Sequence, residues 1–411
     1  MLAAVVIVAG AVALATIGTR TTVARLDEVH GVERDAGPRL IDAQSLYVAL
    51  ADADAAASSA FLRAGRSGGL EPRELRVRYL ADMQTASDRL TAITGRGGLT
   101  DESNRAIETI SRGLPIYAGR IESARDNSRQ GFPVGVQYLR DASTQMRSEL
   151  LVAAKTVYEH AARDLYSHYR RGTTISSIRG VTIVAGLLFF ILLGVQVMVA
   201  RASRRVMNLG LLLATLLVVA VATLSAGALA IQESALRKSQ GEGAEQLVTL
   251  STARILALQS LGDENLDLIA SGTTNQYLDD FALRQSEIGG RQAGLLLDAR
   301  INAERTRTVP VVNDLVARSN RYFELHDRVR GRLADKYTEA VTLAVDDEAK
   351  AEVWLDKGLA GEILQDGERL TTHAKDARTA LDRIAVLAAV LAGLAAVLAV
   401  FGLQRRIREY S

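Results

Sequence analysis

Four apolar stretches, Leu2 to Gly18, Gly180 to Ala200, Leu209 to Ile231 and Ile384 to Leu403, carry no charged side chain. Each is close to the ~20 residues that cross a ~30 Å hydrocarbon layer as a helix. In lipid the backbone must satisfy its own N–H and C=O groups, which leaves helix as the conformation for isolated spans. A chain of 411 residues that is 48% hydrophobic would suit a soluble enzyme only with its apolar residues spread evenly, and they are not. The expected fold class is an all-α membrane protein, with four transmembrane helices and two tandem extracytoplasmic up-down four-helix bundles. Within the first stretch, Ala13-Leu14-Ala15 is a pattern that a signal peptidase accepts, so a cleaved signal peptide is the alternative to an uncleaved span.

Basic residues in short segments set orientation. Arg201, Arg204 and Arg205 follow the second stretch, and Arg405, Arg406 and Arg408 follow the fourth. Both sets are expected in the cytoplasm, as topology anchors and lipid contacts or as a docking patch for an acidic partner. The resulting plan is a span at 1–19, an outer segment at 20–178, a span at 179–200, a cytoplasmic loop at 201–206, a span at 207–231, a second outer segment at 232–383, a span at 384–403 and a cytoplasmic tail at 404–411. Both termini then lie inside the plasma membrane of a bacterium. The chain has no cysteine, so packing rather than disulfides must hold the outer segments.

The plan repeats itself. Leu40-Ile41 matches Leu247-Val248, Ala64-Gly65 matches Ser271-Gly272, Tyr79 to Asp82 resembles Tyr277 to Asp280, and Leu114-Pro115-Ile116 resembles Val309-Pro310-Val311. Order and spacing agree, as expected of two diverged copies of one unit. The copies differ in charge: residues 20–179 hold 23 basic and 20 acidic side chains, residues 232–383 hold 20 and 26. Two such surfaces suit different partners.

Within copy one, glycine-rich breaks predict helices over 20–64, 71–94, 100–129 and 134–178, with Pro72 at a helix start and Thr100 as an N-cap before Asp101 and Glu102. At 1.5 Å per residue these run roughly 66 Å out, 36 Å back, 44 Å out and 66 Å back, so the bundle closes. Core stripes recur at 3-4 spacing: Leu40, Ala43, Tyr47, Leu50, Asp54, Ala57 and Phe61; Ile107, Ile110, Leu114, Tyr117, Ile121 and Ala124; Leu139, Met146, Leu150, Ala153 and Val157. Copy two repeats this with Val312, Leu315, Tyr322, Val329 and Leu333.

The stretch from Leu114-Pro115-Ile116-Tyr117 through Arg129-Gln130-Gly131-Phe132-Pro133-Val134-Gly135, then Tyr138 to Ser143, resembles the GlnX-type membrane proteins of actinobacteria. More generally the plan is similar to the four-helix-bundle sensor domains of chemoreceptors and histidine kinases, without their cytoplasmic output domain. The resemblance implies relay signalling: an outer amino-acid-binding lipoprotein docks on the membrane protein, which communicates with a soluble Ser/Thr kinase, protein kinase G. It assigns no catalytic residue. Copy two lacks the Arg-Gln-Gly-Phe-Pro run.

Asp54, on an otherwise apolar stripe, falls level with Met83, Tyr117, Arg120 and Arg147. It either pairs with an arginine to fix register or belongs to a ligand or signal site between helices. The run Ala51 to Ala60 allows close packing or a sliding seam. Arg120, Arg125, Arg129 and Arg140 surround the distal loop, either as a solvated tip or as a docking surface for carboxylates. His160, Asp164 and His168 share one face at metal-ligand spacing but read better as a polar face. Tyr158, Tyr166 and Tyr169 read as interfacial anchors, and His326 as a satisfied core histidine. In the spans, Ala385, Ala389 and Gly393, and Thr223 with Gly227, form small-residue packing faces; Gln196 is the one strongly polar side chain there. With no ionisable residue in a span, ion-coupled transport is disfavoured.

The expected function is a transmembrane signal transducer that receives a solute-binding protein or a small solute outside. A non-sensing envelope scaffold is the alternative. No metal, cofactor or catalytic motif is expected, and no enzyme. The expected partners are the lipid bilayer, a solute-binding lipoprotein, a cytoplasmic kinase and further copies of the chain, but not nucleic acid.

Overall fold

The computed structural model describes residues 20, 23–66, 70–131, 134–173, scattered positions between 183 and 197, 209–270, 275–289, 293–333 and 335–407. Every regular element among them is helical. The first apolar stretch, the loop arginines Arg201, Arg204 and Arg205, Arg408, Gln196, and Phe132-Pro133 lie outside the described residues.

In copy one, helical residues 23–30 run into a π-helical turn, Gly31–Ala36, that leads into α1, Gly37–Arg66. Next come α2, Arg73–Arg96, α3, Asp101–Arg129, and α4, Val134–Gln145. A second π turn, Met146–Leu150, joins α4 to α5, Leu151–Gly172. Copy two has α6, Leu209–Lys238, a π turn at Ser239–Ala244, and α7, Glu245–Ala270. It continues with α8, Gln276–Ile288, α9, Leu295–Thr306, and α10, Val309–Leu333. The short α11, Tyr337–Leu343, a fourth π turn at Ala344–Glu348, and α12, Ala349–Ile407, complete it.

The expected breaks fall where local chemistry demands. Thr100 caps α3, its side-chain oxygen accepting from the Ser103 N–H at 3.2 Å, with Asp101 and Glu102 in the positive first turn. Gly97 closes α2 at φ 69°, a conformation that costs a residue with a Cβ but not glycine. The π turns occur in the same order in both halves, one before the first outer helix and one inside or before the last. That common placement supports a duplicated unit beyond the thin identity. Copy two departs from copy one at α9 and α10: Arg307 takes a left-handed conformation, φ 61°, and interrupts what Pro115 does not interrupt in α3.

The two outer segments do not stand as separate tandem bundles. Residues 35–165 and 240–370 form one compact unit, and residues 1–34, 166–239 and 371–411 another. In the first of these, α1 packs against α2 and α7, α3 against α4, and α7 against α8 and α9. The physical reason is side-chain size. Nearly every residue from Val48 to Ala60 is buried, and alanine and serine on every face of α1 let neighbours approach from several sides. Helix α7 is enclosed likewise between Ala257 and Leu268. Ala51 to Ala60 is therefore close packing. The stripes at Ile107, Ile110, Tyr117, Ile121 and Ala124, and at Leu139, Met146, Leu150, Ala153 and Val157, face inward, while Leu114, Tyr47 and Phe61 are half-buried.

In the other unit, one helix among the described residues is long and apolar enough to cross a membrane: the run beginning at Thr215, whose most apolar window has mean hydropathy 2.0. Large apolar side chains stand exposed along it, among them Leu216 and Ile231. The same holds at Ile183, Leu187 and Phe190, and in α12 at Val390, Leu394 and Val397. In this unit Tyr169 is buried, its hydroxyl 2.7 Å from the Ser239 Oγ, and in the first Tyr158 is buried with its ring against Tyr47. Both are core residues rather than interfacial anchors; apolar packing along α5 outweighs their polar tips.

Candidate functional site

Charged side chains run through the middle of the compact unit. A buried charge survives only when paired, since an isolated one costs several kcal/mol. Among the buried charges of α1, Asp52 and Asp54 point to different neighbours; α7 contributes the buried Asp263, Glu264 and Asp267 and the half-buried Arg254.

Asp54 accepts a hydrogen bond from the Ser143 hydroxyl at 2.7 Å and from the Tyr117 hydroxyl at 3.4 Å. Arg147 Nε lies 3.4 Å from the same carboxylate, while its terminal nitrogen Nη1 donates to Asp263. Asp263 also accepts from Arg284, whose Nε reaches Gln259 at 3.0 Å. One guanidinium thus bridges carboxylates from the two halves of the chain. Its placement depends on local structure twice over. Arg147 sits on the Met146–Leu150 π turn, where the extra residue rotates the helix face inward. Across from it is Gly262, where a Cβ would come within 2.7 Å of Arg147 Nη2. Burial pushes the Asp263 carboxyl up to about 6, against the two guanidiniums that lower it.

A second cluster lies beside it. Arg78 contacts Asp52 at 2.6 Å, and Arg254 contacts Asp356 at 2.6 Å. Asp82 and Glu352 share this region, and burial raises both to about 8. With those two protonated, two carboxylates face two guanidiniums, and the buried charge balances.

Glu264 on α7, His326 on α10 and Glu348 on the last π turn form a third cluster, all three buried. His326 Nδ1 contacts Glu264 and lies 3.8 Å from Glu348. Phe281 stacks on the imidazole at 3.6 Å between centroids and fixes its plane. His326 is in the core, as its apolar stripe predicts, and its Nδ1 meets Glu264 as an ion-pair contact without hydrogen-bond geometry. Burial, with Glu264 and Asp327 nearby, pushes the Glu348 carboxyl well above its usual range.

Of the seven residues singled out in the sequence, Asp54, Tyr117 and Arg147 meet as a set. Arg120 approaches them indirectly, donating to Gln145 at 3.0 Å and to the Asp141 carbonyl at 3.3 Å. Arg125 and Arg129 belong elsewhere. They line a cavity of about 20 Å³ with Phe61, Glu71 and Leu139, room for one or two waters. Arg125 is buried there, 2.7 Å from Glu71 and over the Tyr79 ring at 4.8 Å, so it is a packed ion pair rather than a solvated tip. Arg140 is half-buried, with Nε lacking an acceptor. His160, Asp164 and His168 disperse: His160 meets Glu102 at 2.9 Å, Asp164 meets Arg39 at 2.8 Å, and His168 meets Glu28 at 2.7 Å. Arg405 and Arg406 fall in α12.

Sequence reasoning missed the second and third clusters. The signal available was charged residues on the largely apolar α7, Arg254 and Glu264; it could mark burial but not partners, because those come from α1, α2, α10, α12 and the last π turn.

A search of the curated proteins found no match. Residues 28–170, spanning α1 to most of α5 and including Asp54, Tyr117 and Arg147, match the family model described as the actinobacterial sensor domain.

Proposed function

We propose that the chain is a multi-pass transmembrane signal transducer of a bacterial plasma membrane, whose outer helical unit receives a solute-binding protein or a small solute such as an amino acid. The observation that carries this reading is the sensor-domain match over 28–170, within which Arg147 joins the matched half to Asp263 of the second half. Binding that shifts either partner by a fraction of an ångström changes the geometry of a buried ion pair, and packed interiors respond to such shifts by switching rather than bending. The exposed apolar side chains on α6 and α12 support several lipid-facing helices, since such patches on a monomer mark membrane or protein contacts. In this reading both termini are cytoplasmic, and the signal passes to a cytoplasmic partner, a Ser/Thr kinase by the GlnX-type resemblance. The chain itself catalyses nothing.

The test is site-specific photocrosslinking from the distal end of α3, at Gln130, in cells with and without added amino acids. Capture of a solute-binding lipoprotein that changes with solute supports the relay. Capture of the same wall or division proteins regardless of solute refutes it in favour of an envelope scaffold.

A further inference from the structure

The third cluster has the chemistry of a cation site. One ligand atom each from Glu264, His326 and Glu348 can be chosen so that all lie within 4.8 Å of one another. Side-chain exposures are 2%, 9% and 1%. Neither carboxylate oxygen of Glu348 has a hydrogen-bond partner, and the same is true of both oxygens of Glu264. His326 Nδ1 meets Glu264 as an ion-pair contact and lies 3.8 Å from Glu348, without hydrogen-bond geometry to either. Buried carboxylate oxygens left without donors call for another compensating group, and a cation is one that these three side chains can hold. The supporting framework is rigid: Phe281 clamps the imidazole from one face, and the π turn Ala344–Glu348 turns Glu348 inward. π turns within helices concentrate at functional sites.

We infer that Glu264, His326 and Glu348 bind one divalent first-row transition ion. One imidazole and two carboxylates suit zinc, manganese or ferrous iron rather than calcium or magnesium, which favour all-oxygen shells. Three protein ligands leave a position for solvent. A dication offsets both buried carboxylate charges. The ion would tie α7 to α10 and to the start of α12, so metal occupancy holds copy two together independently of any solute signal.

Untagged full-length protein in detergent, stripped with chelator and dialysed against Zn²⁺ or Mn²⁺, tests this by metal analysis and calorimetric titration. The expected result is one equivalent of metal, a raised melting temperature, and at least a tenfold loss of affinity in both Glu348→Gln and His326→Asn. His160→Asn, on α5 against Glu102, keeps wild-type binding. Melting curves of the metal-free variants establish that they fold. Wild-type protein that retains no metal, or variants that retain one equivalent unchanged, would overturn the assignment. Because the wild-type stoichiometry alone can refute the site, a variant that fails to fold does not shelter it.

Discussion

Replacing Arg147 with methionine removes the charge that bridges Asp54 and Asp263 while keeping most of the side-chain volume. The three side chains are 16%, 6% and 0% exposed. Breaking a buried ion pair from one side costs about 3–5 kcal/mol, mostly for the unpaired charge left behind. Here each orphan keeps another donor, Asp54 through Ser143 and Tyr117 and Asp263 through Arg284, so the loss belongs near the low end, ~3 kcal/mol. With a urea dependence of ~1–3 kcal/mol per molar, the midpoint should fall by about 1–3 M. The single tryptophan, Trp354, lies in the compact unit with Arg318 over its ring at 4.4 Å, and its fluorescence reports unfolding there. Adding Asp54→Asn to Arg147→Met should recover part of the loss, because an amide costs less than a lone carboxylate in the same place. A single-variant cost under ~1 kcal/mol, or a double variant that simply sums two losses, refutes the claim that the bridge is buried and coupled.

Acidity offers a second check. Asp82 and Glu352 titrate near 8 in the folded chain and near ~4 when unfolded, so the native state holds more protons between those values. Stability is therefore full below about pH 4 as far as these groups go, and falls as pH rises towards 8, by at most ~1.4 kcal/mol per pH unit for each group. Melting temperatures from pH 5 to 8 should decline, and Glu352→Gln should flatten the trend; a rising profile in both refutes the balance of charge described. Gly135→Ala puts a Cβ 2.9 Å from the Ala124 carbonyl oxygen, where backbone must move, and should cost about 1–3 kcal/mol in urea unfolding. Asp42, 5% exposed at its side chain, holds Arg89 at 2.9 Å and Arg96 at 3.0 Å, and Asp42→Ala should loosen α2 from α1, seen as faster amide exchange confined to α2.

Much of the helical plan was legible because it rests on local rules. The Thr100 cap, the glycine breaks and the 3-4 apolar stripes need only neighbours along the chain, and the observed α2 and α3 fall within two residues of their expected ends. The level of Asp54, Tyr117 and Arg147 followed from helical rise and the out-and-back path. Local rules stop at the next step. Whether the two copies stand apart depends on which faces find each other, and nothing in the periodicity of α1 distinguishes a neighbour in its own copy from α7 in the other. The same limit hid the partners of the buried acids: Asp263, Glu264 and Asp267 could be recognised as odd residues in an apolar helix, but Arg147, His326 and Arg330 reach them across 60 to 120 positions of chain. Sequence alone determined that the chain is helical and rich in lipid-length apolar stretches, since those depend on spacing and composition. Tertiary structure alone decided that the halves share one interior and which charges meet inside it, because charge pairing in a low-dielectric core is set by distance in space.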